Sequence, residues 1–217
     1  MIDNISEIRV NDFIMSLSSY EDEDMMRLKK YAVENNVPII RDETRDFLRL
    51  IINIKNVENI LEIGTAIAYS TLVMHKANAK ANIFTIENYD KRIRDAKNNI
   101  AKYFNEDKIT LIEEDAGVYL KECTKNEFFD LVFLDAAKGQ YINWLSDIKR
   151  VMKKGDILIA DNIFKDGEIL ESKFLIKKRD RTIHKRMRDF LYQIKHDENF
   201  ITYIYNLGDG VSISIKK

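Results

Sequence analysis

The sequence predicts an α/β fold: a mostly parallel sheet with helices on both faces and a helical extension at the N-terminus. Three observations predict it. Short β-branched runs alternate with helical segments after residue 55. These runs are apolar at nearly every position, as strands are when both faces of a sheet are covered. The chain then ends in two strand-like runs joined by Asn206-Leu207-Gly208-Asp209-Gly210, a turn so short that the two must be antiparallel.

The elements follow in order. Residues 1–55 read as helical. Within 24–35, Met25, Met26, Leu28, Tyr31, Ala32 and Val33 recur near the helical period, and Pro38 breaks that helix. A second helix begins near Asp42, with Thr44 as a candidate cap, and carries Phe47, Leu48, Leu50, Ile51 and Ile54. Strands are predicted over 59–63, 82–86, 108–113, 129–134 and 156–160, with helices over 70–77, 90–104, 116–121 and 141–152 between them. A very polar helical segment follows, and strands over 200–205 and 211–215 close the chain. There is no internal repeat and no low-complexity linker. Residues 1–217 are therefore read as a single domain, with 1–55 as a helical extension and 167–198 as a basic helical insertion.

Composition bounds the function. The 217 residues are 45% hydrophobic and 33% charged, enough for a core beneath a solvated surface. Lys+Arg 35 against Asp+Glu 36 leaves a net charge of -1, which excludes a strongly basic nucleic-acid coat but not a local basic patch. The single cysteine, Cys123, cannot form an internal disulfide and is read as a packing residue. No CxxC or Cys/His spacing suits structural zinc, and His75, His184 and His196 stand apart. The start, Met1-Ile2-Asp3-Asn4-Ile5, carries acid early, and no apolar run approaches membrane-spanning length. The expectation is a soluble cytoplasmic protein with no membrane partner.

Two constellations carry chemistry. The first is Leu61-Glu62-Ile63-Gly64-Thr65-Ala66-Ile67-Ala68-Tyr69-Ser70, between the first strand and its helix. Ligands in open α/β sheets bind beyond the carboxyl ends of the strands, near this turn. Gly64 gives the close backbone approach, and Ser70 is a candidate cap for the next helix. Glu87 ends the second strand 23 residues after Gly64, where an acid accepts hydrogen bonds from a ribose diol. Ala66 and Tyr69 stand where a dinucleotide loop needs its later glycines, which disfavours a pyrophosphate ligand and a nicotinamide dehydrogenase. S-adenosylmethionine has no phosphate and tolerates one close glycine. Asp115, at the end of the third strand, can cap the next helix and also meet an adenine amino group.

The second constellation is Asp135-Ala136-Ala137-Lys138-Gly139-Gln140-Tyr141 after the fourth strand and Asp161-Asn162 after the fifth. Two carboxylates and an amide oxygen at neighbouring strand ends are a hard, oxygen-only set suited to Mg²⁺ or Mn²⁺. Trp144 is read as core, and Tyr141 as packing on either a cofactor or the sheet.

With these motifs the chain resembles the cation-dependent O-methyltransferases of the caffeoyl-CoA and catechol type, over nearly its whole length. Within that family it looks most like the bacterial tRNA 5-hydroxyuridine methyltransferases, through Val37-Pro38-Ile39-Ile40 and the segment from Arg181 to Arg188. The resemblance implies a Rossmann-like class I methyltransferase fold, with seven strands and an antiparallel last strand. It implies S-adenosylmethionine as cofactor. Glu62, Gly64 and Ser70 would hold its methionine end, with the backbone of Ile40 nearby, while Glu87 would hold the ribose and Asp115 and Ala116 the adenine. Asp135 would serve the cofactor as well as the metal, which Asp161 and Asn162 complete. Lys138 matches the family's catalytic lysine and would take the acceptor's proton, its pKa depressed near the metal, beside Asp135. A homodimer is the usual family state. The chain has Ala68 where the family often has Gly, a methyl group that would narrow the cofactor loop. The basic run Lys173, Lys177, Lys178, Arg179, Arg181, Lys185, Arg186 and Arg188 suggests phosphate contact, so Lys185, Arg186 and Arg188 are candidate RNA contacts and tRNA a candidate partner. A small catechol-like or caffeoyl-CoA-like acceptor is the alternative.

Overall fold

A computed structural model describes residues 7–17, 22–103 and 106–217. The sequence readings at 1–6, 18–21 and 104–105 lie outside the described residues. Three helices come first: α1 (Glu7–Ser16), α2 (Glu23–Glu34) and α3 (Asp42–Lys55). Helix α2 starts on an Asp22 cap, which accepts from the Asp24 amide. It ends before Pro38 is reached. Asn36 turns left-handed, and the Val37 amide closes back on the Ala32 carbonyl at 2.8 Å.

Alternation then sets in: β1 (Asn59–Ile63), α4 (Tyr69–Ala77), β2 (Asn82–Glu87), α5 (Asp90–Tyr103), β3 (Ile109–Glu113), α6 (Ala116–Glu122), β4 (Phe129–Leu134), α7 (Tyr141–Val151) and β5 (Met152–Ala160). Helix α8 (Arg181–His196) leads to the hairpin β6 (Phe200–Tyr205) and β7 (Val211–Lys216). The sheet order is β3-β2-β1-β4-β5-β7-β6. Strands β1 to β5 pair in parallel, and β7 runs antiparallel to both β5 and β6. The last strand is therefore an inner one, and β6 forms the edge.

Period-two burial splits the core. Leu131 and Phe133 pack with the residues of α2 to α5, while Val132 and Leu134 pack with those of α6 to α8. Two boundaries differ from the sequence reading. Strand β5 starts at Met152 rather than 156, because Met152 pairs with Phe129 and the next pair is Leu131 with Ile157. Residues 153–156 bulge out between these pairs, with Gly155 left-handed at φ +82°. The 167–198 segment is not helical throughout. Before α8 begins, the segment's helical part is the single short turn Glu168–Leu170, and non-helical turns fill 171–180. Among the described residues no helix is long and apolar enough to cross a membrane. The described face of α1 leaves Val10, Phe13 and Ile14 exposed, as is Leu17 just after it.

Candidate active site

The chain runs out from β1 to β3 and returns to lay β4 beside β1. The crevice at that reversal is where open α/β sheets bind ligands. Beyond the paired ends the backbone stays knitted: Gly64 N–H donates to Ile86, Asp135 N–H to Ile63 and Asp161 N–H to Leu134, each at 3.0 Å. Gly64, at φ +105°, lies so close to the return strand that a Cβ there would meet the Asp135 carbonyl oxygen at 2.1 Å. A cleft of about 360 Å³ opens here, lined among others by Gly64, Ala66, Glu87, Asp115, Asp135 and Trp144. Its volume suits a small cofactor.

Glu87 is aimed by its own backbone. Oε2 accepts from the Ala66 amide (2.9 Å), and Oε1 from the Asn88 and Tyr89 amides (both 3.0 Å). A carboxylate has about four acceptor sites, so one is left for a ligand. Asp115 is the α6 cap: Oδ1 accepts from Gly117 and Val118, while Oδ2 accepts from the Asn88 side chain. Trp144 belongs to the core, as expected, but also lines the cleft wall. Ala116 lines it too.

Other candidate residues lie behind the cleft wall. Glu62 and Ser70 do not line the cleft; Glu62 is fully buried and accepts from the Ser70 hydroxyl, from Thr71 at 2.5 Å and from Thr85 at 2.6 Å. Ser70 is no helix cap, because left-handed Ala68 holds that position without a side-chain bond. The Ile40 side chain is buried in the core. The Ala68 methyl packs into the core and does not narrow the cleft, whereas Ala66 does line it.

Burial raises the Glu62 carboxyl from 4.5 to about 7 against the pull of its three hydroxyl donors. Such an acid binds an extra proton in the native state between those pH values. Its contribution favours the fold most at low pH and is lost as pH rises through about 7. Glu62→Gln removes that dependence. Relative to wild type, the variant should gain about 2–3 kcal/mol of unfolding free energy between pH 5 and 8. Urea melts at the two pH values check this; a constant difference would contradict the buried-acid account.

The second cluster abuts the first at Asp135. Lys138, in the short turn Lys138–Gln140, directs its ammonium to Asp135 Oδ1 (3.0 Å), the Tyr141 hydroxyl (3.1 Å), the Asp161 carbonyl (3.1 Å) and Asn162 Oδ1 (3.2 Å). Tyr141 is fully buried; its hydroxyl donates to the Leu134 carbonyl and accepts from the Ala136 amide, which fixes the loop. Burial pushes Lys138 down, but Tyr141 and Asp135 outweigh it and hold the amine above the usual lysine range. The depressed value the resemblance implied belongs to a Lys138 beside a bound cation; these neighbours alone raise it. Asn162 reaches Lys138 from a left-handed backbone, φ +50°, which Asn tolerates better than most residues.

Asp161 is fully buried. Burial and the Asp135 charge raise its carboxyl to about 6, against the Asn162 amide, Lys138 and Thr44. Its Oδ1 accepts from the Thr44 hydroxyl at 3.2 Å, and its Oδ2 is buried with no hydrogen-bond partner. Thr44 is thus not the α3 cap, a position held by Arg41 without a side-chain bond. Among the described residues no group of three or more His, Cys, Asp or Glu side chains could hold a metal ion. Asp135, Asp161 and Asn162 make up only two acids and an amide. Their all-oxygen donors and the orphaned Asp161 Oδ2 fit a hard divalent cation.

Helix α8 packs against this cluster. A Cβ at Gly139 would lie 3.6 Å from Ile183 and 3.8 Å from Arg186, and Arg186 donates to the Gly139 carbonyl at 3.3 Å. Arg188 donates to the Ile169 carbonyl, and Lys185 is exposed.

A single-glycine crevice at the strand reversal, with an acid at each of the next two strand ends, defines a class I methyltransferase fold. A sequence model of the O-methyltransferase family matches residues 15–217, so the chain belongs to that family. It is an S-adenosylmethionine-dependent O-methyltransferase. The catechol O-methyltransferase of Niastella koreensis is 28% identical over 177 residues, covering 75% of this chain and 76% of that protein. A Staphylococcus aureus protein provisionally named caffeoyl-CoA O-methyltransferase has a crystal structure that superposes with a TM-score of 0.87 at 28% identity, covering 99% of this chain and all of that one. A Bacillus cereus O-methyltransferase crystallised with S-adenosylhomocysteine shares the fold at a TM-score of 0.84 and 22% identity, over 96% of this chain and 97% of that one.

Proposed function

We propose that the chain methylates one of two neighbouring oxygens of an RNA base, 5-hydroxyuridine at the tRNA wobble position, giving 5-methoxyuridine. The methyl group comes from the sulfonium of S-adenosylmethionine. Glu87, Asp115 and Ala116 would hold its nucleoside, and Asp135 would stand between cofactor and acceptor. Asp135, Asp161 and Asn162 would hold Mg²⁺ or Mn²⁺, which supplies Lewis acidity that lowers the pKa of an acceptor hydroxyl and orients it. Among these oxygens alone, with Asp135 and Tyr141 raising its pKa, Lys138 keeps its proton. An added positive charge among the same oxygens opposes that, and favours Lys138 as the group that takes the acceptor's proton. Binding an oxygen pair selects vicinal oxygens, which the hydroxyl and C4 carbonyl of 5-hydroxyuridine offer.

The observation that carries the RNA reading is the basic surface of α8, the helix whose Ile183 and Arg186 meet Gly139, and of the segment that leads into it. Lys173, Lys177, Lys178, Arg179, Arg181 and Lys185 are exposed on it, with Phe174 77% and Leu175 74% exposed among them. Lys173 lies over the Phe174 ring, 5.2 Å from its centre, and cations beside an exposed aromatic ring suit phosphates and an unstacked base. A second reading, a catechol-like or caffeoyl-CoA-like acceptor, is favoured by the names of the relatives.

Methyl transfer with labelled S-adenosylmethionine and Mg²⁺ separates the two. The acceptors are tRNA bearing 5-hydroxyuridine, the same tRNA without it, and catechol. Transfer to the hydroxylated tRNA alone is expected; transfer to catechol alone would replace the RNA reading. In the same assay Lys178→Glu with Lys185→Glu should raise the KM for tRNA about tenfold or more and flatten its salt dependence by about one phosphate per residue. Catechol turnover, if present, should stay unchanged.

A further inference from the structure

We infer that Thr44 is a positioning residue for the active site: its hydroxyl fixes which oxygen of Asp161 is offered to a cation. The inference rests on the cation reading above. Thr44 is the third residue of α3, is 1% exposed, and lies 117 residues before the carboxylate it touches. A threonine in a helix's first turn commonly bonds to local backbone. This one donates to Asp161 Oδ1 at 3.2 Å instead. Oδ2 of the same carboxylate stays buried without a partner. One oxygen is therefore held by the protein and the other is left for a ligand, a division that a free carboxylate does not have.

The hydroxyl is boxed in. A Cβ at Gly208 would stand 3.1 Å from Thr44 Oγ1, so the β6–β7 turn packs tightly over it. The first turn of α3 is itself pinned. Lys29 of α2 donates to both Asp42 oxygens at 2.7 and 2.8 Å, and Arg45, 7% exposed, donates to Asp42 at 2.9 Å. The N-terminal helices thus supply a fixed donor that the sheet itself does not carry. Groups that orient a ligating carboxylate typically account for tenfold or more in metal affinity.

The test measures Mn²⁺ binding to the full chain by electron paramagnetic resonance. Thr44→Val replaces the hydroxyl by a methyl group of similar size. It should weaken Mn²⁺ binding about tenfold or more, and Thr44→Ser should restore it. Affinity for S-adenosylhomocysteine, whose cleft Thr44 does not line, should stay unchanged in both. If T44V fails to fold, Thr44→Ala, which leaves room for water, carries the same comparison. Wild-type Mn²⁺ affinity in folded variants lacking the hydroxyl would overturn the inference, as would loss of thermal stability alone. No Mn²⁺ binding by the wild-type protein would overturn the cation reading itself, and this inference with it.

Discussion

Asp161→Asn is expected to slow methyl transfer by at least about a hundredfold, while S-adenosylhomocysteine binding stays within about threefold of wild type. The asymmetry follows from where Asp161 stands. It follows β5, is fully buried, and is absent from the lining of the cleft proposed for the cofactor, so on that proposal its charge serves the acceptor side. Asn has nearly the same shape and keeps an oxygen for the Thr44 hydroxyl. What it removes is one of the two negative charges among the oxygens around Lys138. A divalent cation held by one carboxylate and two amides binds far more weakly than one held by two carboxylates. Stability should move the other way. A buried carboxyl raised to about 6 costs the fold free energy once ionised above that pH. At pH 8 the variant should therefore melt no lower than wild type. Single-turnover transfer at saturating cofactor, repeated over a Mn²⁺ titration, reads the effect, and high Mn²⁺ should recover part of the rate. Unchanged turnover would take Asp161 out of the cation set, and full wild-type activity in EDTA would remove the cation itself.

What is legible in the sequence is whatever depends on neighbours along the chain. Strands such as 59–63 and 129–134 stand out because both their faces are buried, leaving nearly uninterrupted apolar runs. The start of β5 does not, because Lys153-Lys154-Gly155-Asp156 looks like a turn and is one, inserted within the strand. In the site, Asp135, Lys138, Asp161 and Asn162 are legible as strand-end residues, and the sheet brings them together around one ammonium. The burial of Glu62 has a physical reason. An acid beside a glycine loop suggests a ligand contact, yet this one faces Thr85, its register partner on β2. Glu62 and Thr85 are each the fourth residue of their strands, and a polar pair at matching places in two apolar runs is the available signal. Thr44 has no such signal. Its partner is fixed only when α3 crosses the ends of β5 and the final hairpin.

Gly64→Ala should be the most damaging single substitution in the cofactor loop, costing about 3–5 kcal/mol and lowering the melting temperature by on the order of 10 °C. Two effects add. At φ +105° an L side chain is strained wherever it points. Here the added Cβ would also stand 2.1 Å from the Asp135 carbonyl oxygen and 2.8 Å from its carbon, both backbone atoms that no rotamer change can move. The ends of β1 and β4 would have to part, breaking the Asp135 to Ile63 hydrogen bond. Because Asp135 both lines the cleft and bonds Lys138, that movement should weaken cofactor binding and transfer together, unlike the one-sided loss expected for Asp161→Asn. Gly167 separates the two contributions. It too is left-handed, at φ +83°, but a Cβ there would meet nothing within 4 Å. Gly167→Ala should cost only the backbone strain, about 1–2 kcal/mol, with cofactor affinity intact. Thermal melts and S-adenosylhomocysteine titrations of both variants decide it. If the two substitutions cost the same, the close approach of Gly64 to Asp135 is not what holds the crevice in shape.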